Sequence, residues 1–124
     1  MIKKLILFFT ILVINLYANI SVSGLSEKQT LWLKEHPVIV AQNEADYIPI
    51  NFSKNSIAQG YSIDFMDLLA SKLGIKVEYT QGYSWNEYLE MAKKKEIDIV
   101  LNIVKTDERQ EYLNFTKPYL KSYP

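Results

Sequence analysis

The chain has 124 residues, with 14 basic and 14 acidic side chains, no formal net charge and no cysteine. That length allows one domain, and a hydrophobic share of 48% supports a packed core rather than a disordered chain. The charge balance leaves no basic stripe for nucleic acid, and the missing thiols exclude disulfides, cysteine zinc sites and thiol catalysis.

Residues 1–18, MIKKLILFFTILVINLYA, join a basic start to an apolar centre, Leu5 to Leu16, and a small residue at Ala18. This is the pattern of a secretory signal peptide cleaved after Ala18. An uncleaved membrane anchor is the competing reading. Asn15 weighs against it, as does an apolar centre shorter than the roughly 20 residues that span a bilayer. Either reading places the remainder outside the cytoplasm.

Residues 19–24 are a small-residue linker. Ser26 and Gln29 then form a capping box for a helix over Glu27–Glu35, whose apolar side is Leu31, Trp32 and Leu33. Pro37 stops it, and His36 sits at its end, where a positive charge suits the helix dipole. Val38 to Ala41 is a short β-rich run, the first strand, and Asn43 to Ile50 reads as the loop leaving it. Asn51 to Ile57 reads as a small turn or hairpin. Gly60 precedes a helix from about Ser62 to Leu73, with Ile63, Met66, Leu69, Ala70 and Leu73 at helical spacing and Gly74 as a left-handed stop. Ile75 to Thr80 alternates between apolar and polar residues, as a strand near a sheet edge does. Ser84 and Glu87 make a second capping box for a helix to about Lys95, lined on one face by Trp85, Tyr88, Leu89 and Ala92.

The run Ile97 to Val104, broken only by Asp98 and Asn102, predicts a strand covered on both faces. Thr106 follows as a helix cap, and Arg109 falls in the first turn of a short helix, Asp107–Tyr112. Free N–H groups, the helix dipole and a five-donor guanidinium would all favour an anion there, a carboxylate above all. The order β-α-β-α-β predicts an α/β fold with a largely parallel sheet flanked by helices. Ligands of such sheets sit beyond the carboxyl ends of the strands. The loops at those ends are Gln42–Ile50, Gln81–Trp85 and Asn102–Arg109.

The segments LSEKQTLWLKEHPVIV, ADYIPINF, GYSIDFMDLLASKLGIKVEY and SWNEYLEMAKKKEIDIVLNIVKTDERQEYLNFTKPYL carry a family resemblance. Residues 25–124 resemble the first lobe of an extracytoplasmic solute-binding protein of family 3, the type II periplasmic binding or Venus-flytrap module. The opening segment is most similar to sensor-associated versions. The resemblance implies a non-catalytic, two-lobed clamp, cut here before its second lobe, that closes on a small amino-acid-like solute. It implies that Arg109 grips the solute carboxylate, that Glu44 meets an ammonium and that Tyr47 covers the solute. Trp85, Asn102 and Thr106 are then expected to border the cleft. Val104 departs from the serine or threonine common before that arginine, which removes a hydroxyl donor. The implied partner is an ABC permease; the alternatives are fusion to a transmembrane histidine kinase or diguanylate cyclase, or service as the accessory domain of a lytic transglycosylase. No cofactor, metal or nucleic acid is expected.

Each site residue also has a plainer reading. Arg109 could pair with Glu108 or Glu111 on the surface, Glu44 could be solvated, and Tyr47 could pin its loop. Trp85 could pack inward, and Asn102 could serve only the backbone at the strand end. The sequence has no G-x-S-x-G, H-E-x-x-H or P-loop motif.

Overall fold

The two serine caps predicted from the sequence start their helices in the same way. In a computed structural model, which describes residues 24–121, Ser26 Oγ accepts the Gln29 N–H at 3.3 Å and Gln29 Oε1 accepts the Ser26 N–H at 2.9 Å. The signal peptide expected over 1–18 lies outside the described residues, as does all but the last residue of the 19–24 linker. Helix α1, Glu27–Glu35, ends at His36, whose Nδ1 lies 2.8 Å from the Trp32 carbonyl oxygen and whose ring stacks on Trp32. Its expected apolar side is only partly used. Leu33 packs against the core, but Leu31 and Trp32 stay exposed, and α1 buries no residue fully.

Strand β1, Val38–Gln42, leads into a segment expected to be loop. The segment contains a two-residue strand, β2, Asp46–Tyr47, too short to show any alternation in sequence. It pairs antiparallel with β3, Asn51–Lys54, which pairs with β4, Ile57–Gln59. The hairpin expected over Asn51–Ile57 is therefore present and belongs to a three-stranded sheet. Asn55 and Ser56 turn it with φ of 53° and 60°, the left-handed pair that matches strand twist.

Helix α2, Tyr61–Leu73, buries Ser62, Ile63, Met66 and Ala70, while Leu69, expected on its apolar face, is exposed. Gly74 ends it at φ 70°, as expected. Gly60 starts it at φ 118°, where a Cβ would stand 2.5 Å from the Ile50 carbonyl oxygen. Only glycine lets the helix begin there, with the Tyr61 and Ser62 N–H groups donating to the Pro49 and Ile50 carbonyls. Strand β5, Lys76–Thr80, runs parallel to β1 in register from Val38↔Lys76 to Gln42↔Thr80. Helix α3, Trp85–Lys93, carries the second capping box and buries Tyr88 and Ala92.

The strand expected over Ile97–Val104 is reduced to one parallel bridge, Ala41↔Ile99. The reason is chemical, because side chains take the neighbouring rungs. Val40 donates its N–H to Asp98 Oδ2 at 2.8 Å, and Leu101 donates its N–H to Gln42 Oε1 at 2.9 Å. The next rung, from Glu44 N–H, goes instead to Asn51 Oδ1 at 3.1 Å. The final helix, α4, is Asp107–Gln110, two residues shorter than the expected Asp107–Tyr112.

Ile39 clusters with Ala70 and Ile75 on the α2 side, and Val40 packs on Tyr88, Ala92 and Ile97 on the α3 side. β1 is thus covered on both faces, as its apolar run requires, while β5 leaves Lys76 and Glu78 exposed. Among the described residues no helix is long and apolar enough to cross a membrane.

Candidate functional site

β1 and β5 end side by side and the segment after Ile99 is tied to Gln42; in chain order each of the six candidates follows one of these three ends. Tyr88 fastens this end from below. Its fully buried phenol donates towards the carbonyl oxygens of Asn43, at 2.7 Å, the residue just after β1, and Thr80, at 2.9 Å, the last residue of β5. Burial pushes the Tyr88 phenol above its ordinary range, so it stays a protonated donor.

Three candidates form one group. Thr106 caps α4, its Oγ1 accepting the Arg109 N–H at 3.2 Å. Arg109 Nη1 donates to the Val104 carbonyl at 2.8 Å, and its guanidinium carbon lies 5.7 Å from the Trp85 ring centroid. Trp85 therefore neither packs wholly inward nor stands free, and it supports a cation with its ring face. The pairing of Arg109 with Glu108 or Glu111 does not form: among the described residues the one ion pair is Lys93 with Glu90. The half-buried guanidinium keeps donors for an external anion. A four-residue helix contributes little dipole, so charge and hydrogen-bond geometry, rather than the expected helix terminus, favour the anion.

Glu44 belongs to a second group. Its Oε1 accepts from Gln42 Nε2 at 2.9 Å. Its N–H goes to Asn51 Oδ1, which also accepts from Asn43 Nδ2 at 2.6 Å. Ser53 donates its hydroxyl to Asn43 Oδ1 at 2.6 Å and closes this network. Gln42, Asn43 and Asn51 are buried, while Glu44 is half-buried. Tyr47, paired with Asn51 across β2 and β3, is 48% exposed, so its ring is not consumed in pinning the loop to the core.

Asn102 stands in a third group. It adopts φ 59°, a left-handed conformation that asparagine tolerates, and donates from Nδ2 to Ser62 Oγ. Tyr119 reaches the same oxygen at 3.0 Å. Asn102 Oδ1 and Asn51 Nδ2 are buried without a partner among the described residues. Val104 is 69% exposed, and its carbonyl accepts from Arg109 Nη1. No direct bond links Glu44 or Tyr47 to the Arg109 group among the described residues. The nearest covalent and hydrogen-bonded route runs from Glu44 through Gln42 to Leu101, which precedes Asn102.

Sequence reasoning missed Gln42, Asn43, Asn51, Ser62 and Tyr119. One signal was available: Gln42-Asn43-Glu44 follows the apolar run Val38–Ala41 directly, with no Gly or Pro between, so the strand end carries polar side chains that need partners if buried. A separate depression of about 340 Å³ lies along α3, lined by Tyr83, Glu87 and Met91 among others, and contains none of the six candidates.

A model of the family described as "Bacterial extracellular solute-binding proteins, family 3" matches residues 39–124. The probable histidine-binding protein of Campylobacter jejuni is 31% identical over 78 residues, which is 62% of this chain and 30% of that protein. The L-cystine-binding protein TcyJ of Escherichia coli is 28% identical over 112 residues, covering 88% of this chain and 42% of that protein. Among solved structures, an ancestral cationic amino acid solute binding protein superposes with a TM-score of 0.63 at 29% identity, over 74% of this chain and 41% of that one. These relatives are named as binding proteins. The chain spans less than half their length.

Proposed function

The chain belongs to the bacterial extracellular solute-binding proteins, family 3, and on that premise we propose that it binds a small carboxylate-bearing, amino-acid-like solute outside the cytoplasm. In this reading residues 25–124 are the first lobe of a two-lobed clamp, residues 1–18 direct export, and the solute is held rather than transformed. An ABC permease would be the partner that receives it.

The supporting observation is Arg109. A half-buried guanidinium with no carboxylate within ion-pair distance among the described residues is an unmatched charge at the open end of the sheet. Val104 and Trp85 hold it in place before any solute arrives, which lowers the ordering cost of binding. A carboxylate would take two parallel N–H groups of the fork. Glu44, with Oε2 unpaired among the described residues, would take the ammonium, and Tyr47 would cover the solute. Asn102 and Thr106 would shape the wall beside Arg109. Closure of the second lobe would then exclude water and strengthen both charge pairs.

The test is calorimetric titration of the full chain with L-histidine, L-cystine and L-arginine, the solute types named in or suggested by its relatives. Binding of at least one by the wild type, lost in Arg109→Ala, is the expected result. Equal affinity in wild type and Arg109→Ala would overturn the assignment.

A further inference from the structure

Gln42 is fully buried at the last position of β1, and both ends of its amide are used. Oε1 accepts the Leu101 N–H at 2.9 Å, and Nε2 donates to Glu44 Oε1 at 2.9 Å. The amide cannot be turned round, because a backbone donor faces one end and a carboxylate faces the other. We propose that Gln42 is a positioning residue for solute binding: it aims the Glu44 carboxylate and ties it to the backbone that leads into Asn102.

The fold does not require a glutamine there. In a regular parallel ladder continued from the Ala41↔Ile99 bridge, the Leu101 N–H would reach the main-chain carbonyl of Gln42. The side chain displaces that rung, buries an amide in its place, and gains a bond to Glu44. A buried amide is tolerated only when both of its ends are satisfied, and here satisfaction comes jointly from the segment after β1 and the segment that leads into Asn102. The arrangement also limits Glu44. With Oε1 engaged, Oε2 is left unpaired among the described residues and reaches solvent, so the carboxylate presents one defined oxygen to a solute cation. This inference rests on Glu44 contacting the solute.

The test is a double-mutant cycle with Gln42→Met, which keeps the length but not the hydrogen bonds, and Glu44→Gln, titrated with L-histidine, L-cystine and L-arginine. Gln42→Met should weaken the amino acid that binds wild type by about tenfold, the scale of a lost bond to a charged group. In the Glu44→Gln chain the same substitution should change affinity by less than about twofold. Equal losses in both backgrounds, or no loss, overturn the proposal. If none of the three amino acids binds wild type, the solute reading falls and this proposal with it. If they bind and lose affinity in Arg109→Ala but not in Gln42→Met, this proposal alone falls. A second measurement does not depend on Gln42→Met folding: Glu44→Gln should displace the Leu101 amide resonance in a ¹H–¹⁵N spectrum, and an unmoved resonance overturns the bridge.

Discussion

Arg109 lies over the face of Trp85, with 5.7 Å from guanidinium carbon to ring centroid, and the two come from different helices, α4 and α3. The ring fixes the cation without neutralising it. A carboxylate in the same place would have neutralised the Arg109 charge before any solute arrived. An aromatic face orients the fork while its N–H edges stay available.

Removing the cation and removing its support should therefore differ in size. Arg109→Ala is expected to cost about 2–5 kcal/mol of solute affinity, as for a truncated buried charge pair. Trp85→Ala should cost about 0.5–1 kcal/mol, the scale of a partly exposed cation–π contact. Calorimetry on both variants, with the amino acid that binds wild type, checks the ranking.

Gly60→Ala should destabilise the chain where α2 begins, next to Asn51 and Ser62. The new Cβ meets the Ile50 carbonyl, and φ of 118° is unfavourable for any side chain. A cost of about 1–3 kcal/mol is expected, read as a fall of several degrees in the thermal midpoint.

Tyr88→Phe should loosen the join between β1 and β5. It removes the donor that the Asn43 and Thr80 carbonyls share; Thr80 keeps the Asn43 N–H at 3.1 Å, so the cost of about 1–3 kcal/mol falls on the Asn43 carbonyl left unsatisfied. Urea unfolding measures this, and amide exchange should accelerate at Asn43, whose N–H donates to the Thr80 carbonyl, before it does in α2.

Glu87 supplies a pH dependence. The Ser84 backbone N–H, and then the Ser84 hydroxyl, hold its carboxyl below the ordinary 4.5. A depressed value in the folded state adds stability above pH 4.5, and that stability is lost as pH falls through the lower folded value. The wild type should therefore be more stable than Glu87→Gln at neutral pH, with the gap closing on acidification. Thermal melts of both chains across that range test the sign.

Much of the architecture was legible because it follows from local chemistry. Ser26-Gln29 and Ser84-Glu87 are complete capping boxes at the predicted places, and Gly74 stops α2 where expected. The parallel pairing of β1 with β5 follows from two strands joined by a crossover containing a helix. The third strand was not legible, because apolar content cannot reveal that Asp98 and Gln42 would take backbone bonds with their side chains. At the site, Arg109, Thr106 and Trp85 were nominated and do meet. The polar network of Gln42, Asn43 and Asn51 was invisible, because it joins residues whose partners are set by tertiary contact, not by spacing.

Those two diverted bonds have a consequence for strand alignment. Sliding Ile97–Leu101 by one position along β1 would separate Asp98 from Val40 and Leu101 from Gln42 in the same movement. The segment is keyed at both ends, so a short stretch with a single true bridge still has only one stable seating. The geometry of everything after it, Arg109 included, is inherited from that lock.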